Sequence, residues 1–311
     1  MDRLFKYTPE VAEHPGVLLE EKLQEMDMAI KEFAARAEKP EKSVIDVIQG
    51  QCSITPDMAI AIEYVTGMSA DVLLNWQRRY DEQKTRKKMS QKMRIASSWL
   101  SSLPLKEMIE RGWIEYKTEV ADQMDAVLRF FGVVSPEAWK NYYFKQRLKV
   151  SFRISLEKTA DPYAIAAWLR QGEIQAMNSE LDQRYDAKKL KELLSGISLL
   201  LQSPPDDIVD ELEGLLAKAG VKLLFTEPLS GVPIKGATRW IYGWPCIQLL
   251  SERQEYENFR FTVLHEIGHI LLHGKKDIFL EHAGFKPEDD LSYEQKEKEA
   301  DVFARKMMRP Q

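Results

Sequence analysis

Cysteine is scarce in this 311-residue sequence. Its two cysteines, Cys52 and Cys246, cannot build the disulfide framework on which small secreted proteins depend, and this favours a reducing compartment. No apolar run approaches the ~20 residues that a membrane helix needs, and the first sixteen residues lack the apolar core of a signal peptide. We therefore expect a cytoplasmic protein with no membrane partner.

An excess of positive charge is also missing. The chain has 44 Lys and Arg against 49 Asp and Glu, which gives a formal net charge of −5. A chain with this balance is not expected to coat nucleic acid along its whole length. Hydrophobic residues make up 44% of the sequence, which is enough to bury substantial cores and excludes a wholly disordered protein.

The composition changes twice along the chain. Residues 1–85 form a set of short amphipathic helical patterns, and the fifth of these runs to about Tyr80. Residues 86–185 are helical and rich in aromatic side chains, and residues 186–311 alternate helical patterns with strand-like stretches. Between Arg78 and Arg94, eight Lys and Arg accompany only two acidic residues. This basic stretch marks the first predicted domain boundary, and the second is placed at 185/186.

Histidine is also rare, and its distribution along the chain is informative: three of the five histidines fall within nine residues. His265, Glu266 and His269 form an HExxH pattern inside the apolar stretch FTVLHEIGHILLHG. Residues four apart are about one helical turn apart, so both imidazoles leave the same face and can hold one zinc ion. Glu266 can then act as a general base on a water molecule. The alternative interpretation is an amphipathic helix with two incidental histidines.

A strand-like stretch, residues 246–250, stands shortly before this helix. Two further strand-like stretches precede it, at 221–225 and 237–242, and Pro and Gly residues separate the three. A metallopeptidase needs a strand with which an extended substrate can pair. We expect the stretch at 246–250 to supply it.

The third ligand must come from elsewhere in the chain. His273 lies roughly 12 Å along the helix axis from His265, which is too far for the two to share one ion. We expect the side chain of His273 to cap the C-terminus of the helix beside Gly274, where a cation meets unpaired carbonyl groups.

Carboxylates in the last helical segment are better candidates. Glu297 and Asp301 share one face of that segment, so we assign Glu297 as the third ligand and Asp301 as the carboxylate that orients a ligand histidine. Glu299 should be solvated, although a change of helical register would exchange it with Glu297. Glu281 and His282 are weaker alternatives, and an exposed charged helix without any metal is the remaining interpretation.

Three segments together resemble one family. GATRWIYGWPCIQLL, FTVLHEIGHILLHG and EKEADVFARKMMRP follow one another in the order and spacing of the ImmA/IrrE family of metallopeptidases, and the resemblance covers roughly residues 190–311. It implies a gluzincin-like site in which His265, His269 and Glu297 bind Zn²⁺ and Glu266 is the catalyst. It also implies a protein substrate, namely a helix-turn-helix repressor or a toxin-like protein.

The amino-terminal segment resembles a second family. The hallmarks of Xre/HigA-like helix-turn-helix antitoxins recur over about residues 14–80: HPG, the Phe33-Ala34 turn, Gly50 after the recognition helix, and ITPDMA. The resemblance implies that residues 41–49 enter the major groove of DNA, with four exposed side chains on that helix. Those four residues are Lys42, Ser43, Asp46 and Gln49.

The charge of this segment opposes DNA binding. Residues 1–80 contain nine Lys and Arg against fourteen Asp and Glu, and phosphate contacts normally supply most of the non-specific affinity for DNA. Lys39, Lys42 and the basic stretch at 78–94 could compensate, and more so in a homodimer. A module that binds only protein is the alternative.

The predicted fold is mainly α with a small β-sheet. It comprises an amino-terminal helix-turn-helix bundle, a helical middle region and a carboxy-terminal α+β gluzincin-like metallopeptidase domain. The predicted function is a cytosolic regulator that combines DNA binding with a zinc-dependent endopeptidase acting on a regulatory protein. The alternative is a non-catalytic antitoxin-type repressor, or a toxin-neutralising partner, with a structural or vestigial zinc site. Residues 95–185 offer a further hypothesis, a sensor for a ligand or partner.

Overall fold

The computed structural model describes residues 13–95, 97–147, 161–202, 207–251, 255–273, 275, 278–282 and 291–309. The chain forms two compact units, Met1–Arg94 and Ile95–Gln311. The division into three domains at 85/86 and 185/186 stays a prediction. None of the helices in the described ranges combines the length and the apolar character that a bilayer span requires.

The first unit is a bundle of five helices over its described residues: α1 (Gly16–Glu25), α2 (Ile30–Arg36), α3 (Glu41–Ile48), α4 (Pro56–Thr66) and α5 (Ala70–Ile95). Local chemistry sets their ends. Thr55 caps α4 by accepting a hydrogen bond from the Met58 backbone N–H, and Gly67 ends the helix at a φ of 76°. The core lies where the apolar stripes of these helices meet, with Leu19, Phe33, Val44 and Ile62 fully buried.

The HPG segment fixes α1 against α3. A Cβ atom on Gly16 would lie 2.0 Å from the carbonyl oxygen of Val47, so the two helices cross where no side chain fits. The Gly16 backbone N–H donates to Nδ1 of His14 over 3.0 Å. The buried ring of His14 also packs edge-on against Tyr80, with ring centroids 4.9 Å apart. The glycine and histidine of this segment therefore have a structural role.

Helix α5 is longer than the sequence predicts. It continues past Tyr80 to Ile95 and so includes the whole basic stretch. Between Arg78 and Lys88 the Lys and Arg side chains are exposed, and Arg86 pairs with Glu82 over 2.8 Å. From Arg78 to Lys88, where the side chains are described, the basic stretch is therefore an exposed helical surface.

The second unit begins with a 3₁₀ helix, Ser97–Ser102, and a series of helices. These are α6 (Leu105–Glu110), α7 (Val120–Phe131), α8 (Pro136–Trp139, continued by a π-helix over Lys140–Arg147), α9 (Pro162–Asn178), α10 (Ala187–Leu200) and α11 (Ile208–Ala217). The aromatic residues of this region pack on one another: Trp139 is buried, stacks on Tyr163 with centroids 4.9 Å apart, and contacts Phe131 at 5.7 Å. They form a core, so their abundance gives no support to a sensor.

A sheet follows, and in the described residues it has four strands. They are β1 (Lys222–Thr226), β2 (Ile234–Ile241), β3 (Trp244–Leu250) and β4 (Phe279–His282), arranged in the order β1-β3-β2-β4. β1 is parallel to β3, whereas β2 is antiparallel to both β3 and β4. The two-residue turn between β2 and β3 has positive φ at Tyr242 and Gly243, as the twist of a tight hairpin requires.

The position of β3 corrects one expectation. Residues 246–250 form a strand, but β1 and β2 pair with it on both sides, so it has no free edge for a substrate. Among the described strands, β1 and β4 lie at the edges of the sheet. β4 was not predicted, because a four-residue strand carries too little alternation to stand out in a sequence.

Helices cover both faces of the sheet. Gln248 of β3 points to α9, where its Nε2 donates to the Trp168 carbonyl over 2.8 Å and to Thr226 Oγ1 over 3.0 Å. Ile247 and Leu249 point to the other face and pack in one core with α12 (Tyr256–Leu272) and α13 (Leu291–Met308). The predicted fold class is confirmed.

Candidate functional site

The two histidines of the HExxH pattern lie in the middle of α12. That part of the helix, residues 262–270, is wholly buried, because one side faces the sheet and another faces α13. Gly268 lets the two helices approach closely: a Cβ atom there would lie 3.1 Å from Phe303 and 3.3 Å from the Cα of Ala300. His265 and His269 are 2% exposed, so packing restricts their rotamers.

Helix α13 brings a carboxylate to the histidines. Ala300 and Ala304 are buried one turn apart against α12, and Glu297 and Asp301 occupy neighbouring positions on the same side. Small residues at the contact allow the carboxylates to reach across. The helical spacing that led to the assignment of Glu297 is thus present in the structure.

Three donor atoms converge at this point. Nε2 of His265 lies 2.9 Å from Nε2 of His269 and 3.2 Å from Oε2 of Glu297. Nε2 of His269 lies 3.4 Å from Oε1 of Glu297. Among the described residues, these three side chains form the group whose ligand atoms are close enough together to hold a metal ion.

The donor set suits zinc. Two imidazole nitrogens and one carboxylate oxygen are the mixed nitrogen and oxygen donors of many zinc enzymes. Bonds of about 2.0–2.1 Å to a tetrahedral ion place its ligand atoms roughly 3.3 Å apart. The observed separations of 2.9, 3.2 and 3.4 Å are near this value. The ligand roles of the three residues stay a prediction.

The electrostatics of the three groups differ. Burial by itself would lower the pKa of His265, but Asp301, Glu297 and the nearby Glu266 outweigh it and raise that pKa to about 10. Burial dominates for His269 and lowers its pKa to about 4. Burial would raise the pKa of Glu297, but the two histidines lower it to about 2. These pKa values favour a cationic His265 and a neutral His269 beside an ionised Glu297 in the metal-free site.

Asp301 lies on the far side of His265. Its Oδ1 is 3.1 Å from Nδ1 of the imidazole, although the two groups are not aligned as a hydrogen bond. The contact places a negative charge behind His265, and the predicted role of Asp301 in orienting that ring stays a prediction. Asp301 also lies 3.6 Å from Arg305.

His273 is the C-cap residue of α12, as predicted, but it caps the helix through its backbone N–H, which donates to the His269 carbonyl over 3.1 Å. The prediction that its side chain serves as a cation at the helix end is wrong. Its Nδ1 lies 2.9 Å from Nδ1 of His269, and its Nε2 lies 3.3 Å from Oε2 of Glu299. Burial lowers the pKa of His273, which opposes a role as a cation at the helix end. Glu299 is exposed, as predicted, but contacts His273. The side chains of the alternative ligands Glu281 and His282 lie outside the part of the chain that the structure describes.

Glu266 is fully buried beside β2. A Cβ atom on Gly236 would lie 2.8 Å from Glu266 Oε1 and 2.8 Å from Thr262 Cγ2, so the missing side chain makes room for the carboxylate. The hydroxyl of Thr238 donates to the Glu266 carbonyl over 3.3 Å and ties α12 to the strand.

The predicted DNA-contacting residues lie on α3 and at the two ends of that helix. Lys42 and Gln49 are exposed, as expected. Ser43 and Asp46 are half-buried, which corrects the prediction that they are exposed: they lie next to Val44 and Val47, which are buried in the core. The Lys39 ammonium pairs with the Asp57 carboxylate, which ties up part of its charge.

Comparison with known proteins agrees with both halves of this description. The model of a peptidase family, Peptidase_M78, described as an IrrE N-terminal-like domain, matches residues 219–310. The uncharacterised HTH-type transcriptional regulator YddM of Escherichia coli strain K12 is 33% identical over 63 residues, which are 20% of this chain and 67% of the relative. By its amino-terminal part the chain belongs to the HTH-type regulators, and residues 219–310 match the IrrE N-terminal-like domain.

A solved structure is also similar to the amino-terminal part. It is an addiction module antidote protein of the HigA family from Coxiella burnetii, 30% identical, which covers 27% of this chain and 92% of its own, with a TM-score of 0.26.

Three residues of the IrrE N-terminal-like domain have contacts at the site that sequence reasoning missed. The sequence could have indicated the contact of His273, because this residue lies one helical turn from His269. Gly236 had a weaker signal, a glycine inside a strand pattern. Phe279 had no signal. Its ring stacks on His269 with centroids 3.9 Å apart, and that contact exists only because β4 pairs with β2.

Proposed function

We propose that this chain is a regulator whose second unit is a zinc-dependent endopeptidase acting on a repressor or toxin-like protein. The observation that carries the proposal is the convergence of His265 Nε2, His269 Nε2 and the Glu297 carboxylate within 3.4 Å of one another. The family match over residues 219–310 supports the peptidase class.

Each residue of the site has a task in this proposal. His265, His269 and Glu297 would hold the ion, and Asp301 would keep the ring of His265 in place. When bound, zinc supplies a Lewis acid that acidifies a water molecule and polarises a peptide carbonyl. Glu266 would accept the proton of that water and deliver it to the leaving amine. The packed surroundings of Glu266, with Gly236 beside it, fix the position of its carboxylate.

The substrate would pair with the edge of β4. Phe279 of this strand stacks on His269, so the strand lies beside a proposed ligand. Among the described strands, β4 pairs only with β2. The backbone N–H and C=O groups on its other side can therefore receive an extended peptide. This pairing would present a peptide bond to the ion.

The first unit would bind operator DNA through α3. The similarity to an HTH-type transcriptional regulator and the exposed Lys42 and Gln49 support this part of the proposal. Because Lys39 pairs with Asp57, the positive surface of α5 would supply much of the phosphate contact.

The test of the peptidase uses Glu266→Gln. This variant should bind one zinc ion per chain and lose cleavage, because an amide cannot accept the proton. The zinc-loaded wild-type protein and the variant are incubated with a lysate of the native host, and new peptide termini are identified by mass spectrometry. Termini that appear in both reactions would disprove the catalytic role of Glu266.

A non-catalytic regulator is the second candidate, and the regulator-like first unit favours it. In that case the ion would be structural and a fourth protein ligand would complete its shell. The described residues contribute three donors. A zinc-bound protein with four protein ligands and no cleavage products would support this candidate.

A further inference from the structure

The second ring nitrogen of His269 points away from the proposed metal centre. Nε2 faces His265 and Glu297, whereas Nδ1 lies 2.9 Å from Nδ1 of His273. A histidine that binds a metal through Nε2 carries its proton on Nδ1. His269 is therefore the donor in this contact, and Nδ1 of His273 is the acceptor.

His273 has a partner of its own. Because its Nδ1 accepts, its proton sits on Nε2, which lies 3.3 Å from Oε2 of Glu299. The carboxylate of Glu299 accepts the hydrogen bond from this N–H. A chain of hydrogen bonds with one direction therefore runs from His269 through His273 to Glu299. The contact with Glu299 joins the end of α12 to α13.

Packing and backbone geometry hold the ring of His273 in this place. Its side chain is only 3% exposed, and its ring centroid lies 5.2 Å from that of Phe279. α12 ends at Leu272, and His273 adopts extended backbone angles while its N–H still donates to the His269 carbonyl over 3.1 Å. A residue just past the helix can thus turn its ring back onto the preceding turn.

We propose that His273 is a positioning residue for the metal centre and that Glu299 orients His273. This inference rests on the proposed zinc site. Each ligand histidine then has its own orienting partner: Asp301 lies behind His265, and the pair of His273 and Glu299 lies behind His269. His273 acts through His269 and does not touch the ion, because its Nδ1 faces the far side of that ring.

The test compares two substitutions of His273. His273→Phe keeps the ring volume and removes the acceptor, whereas His273→Asn keeps an acceptor near the position of Nδ1. Leu272→Ala is the matched control, since Leu272 is the adjacent residue and is half exposed. Zinc affinity is measured by competition with a chromophoric chelator, and the absorption spectrum of the Co²⁺ form reports the ligand geometry.

Loss of such a hydrogen-bonding partner typically weakens metal binding about 10–100-fold. We expect a loss of this size and an altered Co²⁺ spectrum for His273→Phe, and near wild-type binding for His273→Asn and Leu272→Ala. Glu299→Ala changes an exposed side chain and should weaken binding less than His273→Phe. It provides the decisive variant if His273→Phe fails to fold.

The outcomes separate this inference from the proposed function. A wild-type protein that binds no zinc would overturn both. Tight wild-type binding that is unchanged in His273→Phe, or in Glu299→Ala where the first variant does not fold, would overturn only the role of His273. Equal losses in His273→Phe and His273→Asn would also overturn it, because the acceptor would then not matter.

Discussion

At the residue scale, the three donor groups of the proposed metal site lie close together before any ion binds. Two imidazole nitrogens 2.9 Å apart cannot both present lone pairs without cost, so one of them carries a proton. The carboxylates Glu297 and Asp301 favour that proton on His265, whose pKa is raised to about 10. An incoming ion must displace it.

This arrangement predicts that zinc affinity rises with pH. The pKa is about 10 for His265, about 4 for His269 and about 2 for Glu297. Of these three groups, only His265 therefore carries an additional proton, as a cationic imidazolium, between pH 6 and 9. One displaced proton gives about a tenfold gain in affinity per pH unit. Chelator competition across this range measures the slope, and calorimetry in buffers of different ionisation enthalpy counts the protons. An affinity that is independent of pH would contradict the assignment.

The same residues show what the sequence could predict about the site. The HExxH spacing places two imidazoles on one helical face, and the periodicity of the last segment places Glu297 and Asp301 together. The structure brings these four side chains to one point. Both patterns are local, so the helical periodicity of the sequence is enough to find them. The stacking of Phe279 on His269 is not local, because it depends on strand pairing.

At the element scale, the site depends on how closely α12 and α13 approach. Ala300 and Ala304 are fully buried between them, and Gly268 leaves no side chain at the crossing. These small residues bring Glu297 within reach of both histidines. A larger side chain at the contact would move the carboxylate away from the imidazoles.

Ala304→Leu should therefore destabilise the protein and weaken zinc binding together. Overpacking of a filled core typically costs about 1–3 kcal/mol of unfolding free energy. Urea denaturation of the metal-free protein measures the first effect, and chelator competition measures the second. Val302→Leu on the exposed side of α13 is the control, since Val302 is 68% exposed, and it should change neither quantity. Equal stability of the two variants would argue against close packing at this crossing.

Helices with a strong apolar periodicity could be predicted from the sequence. The charged second half of α5 and the position of β3 in the sheet could not. The apolar stripes of α1 to α4 and the Thr55-Pro56 cap follow from local rules. The length of α5 could not be predicted from local rules, because its basic half has no apolar stripe that marks it as a helix. The interior position of β3 follows from long-range pairing with β1, which no local pattern encodes.

At the scale of the whole molecule, the chain combines a first unit, in which an acidic segment over residues 1–80 precedes most of the basic stretch, with a separate unit that carries the proposed metal site. The net charge of −5 is no obstacle to DNA binding if the basic residues concentrated on α5 face the phosphates. The sequence revealed the charge imbalance. It could not show that Lys39 is paired with Asp57, or that the basic residues from Arg78 to Lys88 are exposed on one helix.

Lys42→Ala should weaken operator binding and reduce its salt dependence. A duplex is first selected from a random library with the wild-type protein, and its affinity is then measured against salt concentration. Loss of one phosphate contact lowers the slope of log affinity against log salt by about one. Lys218→Ala changes an exposed lysine of the second unit and should leave the slope unchanged. Identical slopes for wild type and Lys42→Ala would remove Lys42 from the DNA contact.

The most direct test of the account is the position of the metal itself. Crystals of the zinc-loaded protein, measured on both sides of the zinc absorption edge, would locate the ion by anomalous scattering. We predict one peak per chain, about 2.0–2.2 Å from Nε2 of His265, Nε2 of His269 and a carboxylate oxygen of Glu297. A peak that Glu297 does not contact, or no peak between α12 and α13, would contradict the central claim.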